Sequence, residues 1–125
     1  MSVEAQAQEL LSVTVTVPMK TVSETNQREH WTVRHRRRRI QRHTVMTHLL
    51  ALGARWTHFP CVVTLTRIAS RKLDPDNMVG SMKATIDSLA TWMGIDDADE
   101  RVTWRFEQEN KRRGELQAVR IEVIA

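Results

Sequence analysis

The sequence has only one cysteine, Cys61, so no disulfide can form within the chain. It has no apolar run near the ~20 residues that a membrane-spanning helix requires. Its first residues show neither the basic segment nor the continuous apolar stretch of a secretory signal. These absences predict a soluble protein of a reducing, cytoplasmic compartment that does not contact a membrane.

Several familiar catalytic and metal-binding patterns are also missing. No glycine-rich phosphate loop occurs, and no arrangement of Ser, His and Asp indicates nucleophilic catalysis. The stretch that begins at Asp74 is not a calcium EF-hand, because Val79 stands where that loop needs glycine and Thr85 where it needs glutamate. The five histidines have no zinc-binding spacing with Cys61. These classes of site are therefore excluded as ready explanations.

Basic residues are abundant and unevenly distributed. The chain carries 15 Arg and 4 Lys, for a formal net charge of +4. Residues 1–73 hold 12 basic and 4 acidic side chains, residues 74–100 hold 1 and 7, and residues 101–125 hold 6 and 4. Arg binds phosphate through two parallel hydrogen bonds, so this composition favours a polyanionic partner. It also predicts an acidic island within a basic surface.

The densest basic segment lies within "VRHRRRRIQRH". Its arginines project around most of a helical wheel, so they cannot all lie on one solvated face. A solubilising helix end is the alternative, but Lys and Glu would serve that purpose as well, whereas clustered Arg suits phosphate. We therefore predict DNA binding by this segment and by two basic residues ahead of the acidic block. The predicted residues are Arg34, Arg36, Arg37, Arg38, Arg39, Arg42, Arg71 and Lys72.

Hydrophobic periodicity predicts a chain of mixed secondary structure. Alternating or Val/Thr-rich runs predict strands at 11–19, 61–69, 102–106 and 119–123. Helical spacing predicts helices at about 28–52 and 78–93, with Asn26 and Glu29 at capping-box spacing before the first. The last two strands are predicted to form a hairpin. The order β-α-β-α-β-β then predicts an α+β fold, with a small mixed sheet of about four strands and two main helices against one face. Residues 1–8 are predicted to be a flexible tail and residues 9–125 a single domain.

The stretch "LDPDNMVG" places Asp74 and Asp76 just before the second helix. Asp before a helix is usually an N-cap, and Lys83 with Asp87 would ordinarily be a surface ion pair. The following "DDADE" would ordinarily be a solvated turn. On a wheel, however, one helix face holds Asp76, Gly80, Lys83 and Asp87.

Two carboxylates ~4 Å apart repel by about 4 kcal/mol at an effective dielectric of ~20, so a cluster of them needs a cation or basic neighbours. Oxygen ligands favour magnesium, manganese or calcium over zinc. Both interpretations are compatible if Asn77, or the backbone of Asp76, starts the helix while the two carboxylates point at a cation.

The stretch "DPDNMVGSMKATIDSLATWMGIDDADERVTW" resembles the core of the RusA family of Holliday junction resolvases. The likeness lies in an Asp-x-Asp-Asn that opens a helix, a Lys followed by Asp four residues later, a Gly, and an Asp-Asp pair before a strand. It covers roughly residues 67–108. In the family pattern the Lys follows the Asn by three residues, whereas Lys83 follows Asn77 by six, so a triplet such as residues 79–81 is inserted.

The resemblance implies that Asp74, Asp76 and Asp97 are metal-binding catalytic carboxylates and that Lys83 is the essential lysine. Asn77, Asp87 and Asp96 would support them. It further implies a RusA-like homodimer that uses magnesium, or manganese, to make paired symmetric nicks in four-way DNA during recombination and repair. Such a protein would be encoded by a phage or prophage and would act in the cytoplasm of a bacterial host.

Two other hypotheses stay open. A phage protein could keep the resolvase fold and bind nucleic acid without catalysis, and the displaced Lys83 favours this alternative. A nucleotide pyrophosphohydrolase would also use carboxylates and magnesium. That class needs Glu-rich helices, however, and residues 28–52 contain only Glu29.

Overall fold

The computed structural model describes residues 11–23 and 30–125, and within these ranges it contains four strands and three helices. The strands are β1 (Ser12–Pro18), β2 (Cys61–Ala69), β3 (Val102–Asn110) and β4 (Ala118–Ile124). The helices are α1 (Trp31–Leu50), α2 (Pro75–Ser81) and α3 (Lys83–Met93). The predicted α+β class is therefore confirmed, whereas the predicted tail at residues 1–8 lies outside the described ranges.

The four strands form one mixed sheet in the order β1-β4-β2-β3. β4 is antiparallel to both of its neighbours, and Ile121 of β4 lies opposite Val15 on one side and Leu65 on the other. β3 runs parallel to β2. β1 is an edge strand that ends at Pro18, as its sequence predicts.

The predicted hairpin of β3 and β4 is wrong, because β2 lies between these two strands. The alternation of apolar residues in Val119, Ile121 and Val123 predicts which face of β4 is buried, but it does not specify the neighbouring strand. Residues 111–117 connect β3 to β4, and this loop is long enough to pass the end of β2. The pairing therefore depends on contacts between strands that are distant in sequence.

The hydrophobic core lies between one face of the sheet and the helices α1 and α3. Its completely buried members come from alternate strand positions and from the inner sides of both helices. They include Val17, Val63, Leu65, Val119, Ile121 and Val123 on the sheet, and Val45, Leu49 and Leu89 on the helices. Intervening strand positions such as Thr64, Arg105 and Glu122 point to the opposite face. The prediction of helices against one face is thus confirmed.

The predicted second helix is in fact two helices separated at Met82, whose φ of −99° and ψ of 6° are not helical. Gly80 and Ser81 precede the break, and the Ser81 hydroxyl donates to the Met78 carbonyl oxygen at 2.7 Å. Gly and Ser next to each other commonly interrupt a helix. The break directly follows residues 79–81, the triplet by which this chain exceeds the RusA spacing. The predicted apolar stripe is nevertheless buried at Met78, Met82, Leu89 and Met93.

α1 starts after His30, whose ring Nδ1 accepts a hydrogen bond from the backbone N–H of Thr32 at 3.2 Å. The predicted capping box of Asn26 and Glu29 lies outside the described residues. The buried residues of α1 are Gln41, Val45 and Leu49, all in its C-terminal half. The arginine-rich N-terminal half therefore stands outside the core. None of the helices in the described ranges combines the length and apolar character needed to cross a lipid bilayer.

Candidate nucleic-acid interface and metal-binding carboxylates

Basic side chains gather at one end of the sheet, where β1, β2 and β3 finish and β4 starts. A hydrogen bond from the Lys111 backbone N–H to the Ala69 carbonyl oxygen, 3.1 Å long, joins the ends of β3 and β2. We call this region the basic end. Besides part of α1, described next, the residues that define it are Lys20, Arg67, Arg71, Lys72, Lys111, Arg112 and Arg113.

The N-terminal half of α1 lies at the same end. The Gln41 side chain donates to the Lys20 carbonyl oxygen at 3.1 Å, and Lys20 lines one groove together with Arg36. After the other end of α1, Leu52 shares a small cavity with Val13, near the start of β1. α1 therefore runs away from the basic end. Its first half places these predicted DNA-binding residues at that end: Arg34, Arg36, Arg37, Arg38 and Arg39.

α2 also starts at the basic end, with the two carboxylates that the sequence analysis singled out. Asp74 is the N-cap: its Oδ1 accepts from the backbone N–H of Asn77 and its Oδ2 from the Asn77 Nδ2, each at 2.9 Å. Pro75 occupies the first helical position, where its missing N–H costs nothing. Asp76 follows in the first turn and is exposed. The capping interpretation is therefore confirmed, but the cap is Asp74 itself rather than Asn77 or Asp76.

Asp96 and Asp97 lie at the opposite end of the sheet, which we call the acidic end. The Cys61 backbone N–H donates to the Arg101 carbonyl oxygen at 2.9 Å, so the loop before β3 adjoins the start of β2. β2 has nine residues, and such a strand is about 26 Å long at ~3.3 Å per residue. Asp97 is therefore remote from Asp74 and Asp76 within one chain. The predicted acidic island is accordingly divided between the two ends.

The fold does not bring the three predicted carboxylate ligands together. In residues 11–23 and 30–125, no group of three or more His, Cys, Asp or Glu side chains could hold a metal ion. What remains together is the pair at the start of α2, with Asn77 bound to Asp74.

The loop at the acidic end is built from hydrogen bonds within itself. Arg101 donates to both carboxylate oxygens of Asp99, at 3.1 and 2.8 Å, and its guanidinium lies 4.4 Å from the centre of the Phe59 ring. These hydrogen bonds from Arg101 lower the pKa of Asp99 from 3.8 to about 2. Asp96 Oδ1 accepts from the Ala98 backbone N–H at 2.8 Å, which forms an Asx turn. The turn interpretation is thus confirmed for Asp96 and Asp99.

Lys83 and Asp87 both lie on α3, apart from Asp76 on α2. Lys83 is the first residue of α3 and is exposed. Asp87 Oδ2 lies 4.0 Å from the Nη1 of Arg42 on α1, so its partner is this arginine. Because the helix breaks at Met82, the single helix face predicted for these residues is not continuous.

Sequence reasoning missed several residues of the basic end: Lys20, Arg67, Lys111, Arg112 and Arg113. Most of them come after the end of a strand, and they lie close together in space only because of the order in which the strands pair. Arg67 did carry a signal, because it occupies the inward position that follows Val63 and Leu65 in the alternation of β2. A charged residue on an apolar strand face is unusual.

No model of a protein family matches this chain, and no curated protein sequence matches it. The fold and the site define a small α+β protein whose basic end contains two carboxylates at the start of a helix. The likeness to the RusA family rests on the quoted residues alone.

Proposed function

We propose that this protein is a magnesium-dependent, structure-selective DNA endonuclease of the RusA type, which resolves four-way junctions as a homodimer. The observation that carries the proposal is the position of Asp74 and Asp76 within the basic end. Metal-dependent hydrolysis of a DNA phosphodiester uses carboxylates that bind a cation and basic side chains that bind the neighbouring phosphates. Both kinds of residue lie at this end of the sheet.

DNA binds through the basic side chains of this end. Arg36 and Arg39 are exposed on the half of α1 that stands outside the core, and Arg71 and Lys72 are exposed beside the start of α2. Arginines on a helix and on an adjacent loop can contact phosphates of more than one DNA arm. Each phosphate that is neutralised adds ~0.9 to the slope of log affinity against log salt.

Asp74 and Asp76 fit a magnesium ion in donor type. Magnesium is commonly bound by one or two protein carboxylates together with waters and substrate phosphates, so a third carboxylate in the same chain is not required. Each Asp74 oxygen accepts one hydrogen bond from Asn77 and keeps another lone pair for a cation. When bound, magnesium or manganese supplies an activated water and neutralises charge on the scissile phosphate.

Two further residues have defined places in this proposal. Lys83 is exposed at the start of α3. Its positive charge stabilises the additional negative charge that develops on the scissile phosphate in the transition state. Asp97 joins the site only from a second copy of the chain, with the acidic end of one copy against the basic end of the other.

Cleavage of a synthetic four-way junction in magnesium tests the proposal. We expect wild type to cut the junction in preference to plain duplex, and Asp76→Asn to bind it but to cut more than about 100-fold more slowly. Glu107→Gln is the control, because Glu107 is exposed on the opposite face of the sheet, level with Thr66. Asp97→Asn then separates two designs: retained cleavage assigns the metal to Asp74 and Asp76 alone, and lost cleavage assigns Asp97 to a site shared between two copies.

A second candidate is a nucleic-acid-binding protein that keeps the fold without catalysis. The observations that favour it are that both Asp74 oxygens are engaged in capping α2 and that Asp97 lies at the other end of the sheet. In that case wild type and Asp76→Asn bind the junction equally and neither protein cuts it. This outcome would replace the endonuclease proposal.

A further inference from the structure

Arg67 is a buried cation at the basic end. Its residue surface is only 7 % exposed, and it lies on the helix-covered face of β2, level with Val119 of β4 and Gln108 of β3. Burial lowers the pKa of its guanidinium, but an arginine stays protonated at neutral pH. β2 therefore holds a positive charge at an inward-facing position, whereas its preceding inward-facing positions hold apolar side chains.

The partners of Arg67 among the described residues are neutral. Its Nε donates to the Thr21 hydroxyl at 2.7 Å, and its Nη1 donates to the carbonyl oxygen of Arg71. In residues 11–23 and 30–125, no carboxylate forms an ion pair with it. A buried charge without a counter-ion is costly, whereas the same charge with an anion bound to it is compensated.

The guanidinium of Arg67 has N–H groups that its two neutral partners do not use. An arginine has five N–H donors, of which Thr21 and Arg71 take two. The Nη2 of Arg67 has no partner among the described residues, and it is not one of their enclosed unpaired atoms. It is therefore not fully enclosed by the described residues. The two neutral acceptors fix the plane of the guanidinium, while Nη2 keeps both of its N–H groups for another acceptor.

The surroundings attract anions. Lys20 and Lys72 flank the two segments that hold Arg67, and Gln108 fixes the second segment by hydrogen bonds with the backbone of Leu73 at 2.8 and 2.7 Å. Directly after Leu73 comes Asp74, the start of α2. An anion on Arg67 would thus bind beside the proposed cleavage site rather than on a distant surface.

We propose that Arg67 forms a preorganised phosphate-binding site, which, on the proposed function, holds a backbone phosphate of the DNA beside Asp74 and Asp76. The planar guanidinium gives two parallel hydrogen bonds to a phosphate, and its orientation is already set by Thr21 and Arg71. The arginines Arg36 and Arg39 of α1 are exposed and are not held in this way. Arg67 instead positions one phosphate relative to the carboxylates.

Titration of the nitrogen-15-labelled full-length chain with sodium phosphate, at constant ionic strength against sodium chloride, tests the site. The signal of the Arg67 Nε–H group is identified by its loss in Arg67→Met. We expect a saturable shift of this signal in wild type and at least about tenfold weaker phosphate binding in Arg67→Met. Arg105→Met is the control, because Arg105 lies on the opposite face of the sheet and should bind phosphate as wild type does.

Two further results keep the test decisive. If Arg67→Met does not fold, Thr21→Val keeps the charge but removes one acceptor, and it should weaken phosphate binding several-fold. If phosphate leaves the Arg67 signal unmoved in wild type, the site does not exist.

A DNA duplex in place of phosphate separates this inference from the proposed function. A shift of the Arg67 signal by both probes supports the proposal. DNA binding that leaves the Arg67 signal unmoved overturns the role of Arg67 but not the function. Phosphate binding without any DNA binding overturns the proposed function and assigns the site to a free phosphate or a small phosphorylated ligand.

Discussion

Asp74 and Asn77 are joined by two hydrogen bonds of 2.9 Å, one to the backbone N–H of Asn77 and one to its side chain. The residue proposed to bind a metal is therefore also the residue that starts α2. Under the proposed function, stability and activity are coupled at Asp74, whereas Asp76, two residues further along and exposed, has no such capping role. The two aspartates can be separated by experiment.

Asp74→Ala should lower the free energy of unfolding by about 1 kcal/mol, because α2 loses its N-cap. Asp76→Asn should change it by less than about 0.5 kcal/mol, because Asp76 is exposed. Urea unfolding of both variants without added metal measures the difference. Equal destabilisation by the two substitutions would contradict the cap assignment.

Arg36→Ala combined with Arg39→Ala should flatten the salt dependence of DNA binding. Each lost phosphate contact should reduce the slope of log affinity against log salt by about 1. Fluorescence anisotropy with a labelled four-way junction, measured at several salt concentrations, gives the slope. Arg105→Ala removes one positive charge from the opposite sheet face and serves as the control. A slope that stays at the wild-type value would mean that α1 does not contact the DNA.

The stability of the acidic-end loop should fall in strongly acidic solution. The folded-state pKa of Asp99 is about 2, below its ordinary 3.8, because Arg101 donates hydrogen bonds to its ionised form. A depressed pKa of an acid means that the stabilisation is present above pH 3.8 and is lost as the pH falls toward 2. Carboxyl carbon-13 signals followed against pH should show the Asp99 pKa rise toward 3.8 in Arg101→Met. An unchanged pKa would remove Arg101 as the cause.

Gly94→Ala should destabilise the protein by about 1–2 kcal/mol, because a residue with a Cβ is strained in the left-handed conformation. Gly94 has φ of 71° at the C-cap of α3, and an added Cβ would lie 2.9 Å from the Nη2 of Arg55. Gly114→Ala is a matched comparison, since its φ is 86° and nothing lies within 4 Å of an added Cβ. Thermal unfolding should show a larger loss of stability for Gly94→Ala than for Gly114→Ala, because only the former must also displace the Arg55 side chain. An equal loss for the two variants would contradict this contact.

Local patterns predicted most of the secondary structure. Alternation in β1 and β4 and the stripe that includes Met78 and Leu89 identified the buried sides of these elements, because periodicity depends on neighbours within the same segment. The break at Met82 was missed. A wheel assumes a continuous helix, while the Ser81 hydroxyl competes with helical hydrogen bonds at that point. Gly80 weakens the helix there through the freedom of its backbone.

The candidate site was predicted only in part. Asp74 and Asp76 were found from their position before a helix, and the structure keeps them within a basic region. Asp97 was grouped with them because the RusA resemblance implied it. Spatial separation follows from the parallel pairing of β2 with β3, which requires the intervening chain to cross from one end of the sheet to the other.

The sequence by itself determined the elements, the charge blocks, the absence of a disulfide within the chain, and the motif around Asp74 that resembles a resolvase. Each of these depends on residue type and local spacing. Only the tertiary structure decided that β4 inserts between β1 and β2 and that Asp97 lies at the other end of the sheet from Asp74. It also decided that Arg67 is buried with no carboxylate partner among the described residues. These features depend on which distant segments pack together, because side-chain burial and strand pairing are properties of the whole fold.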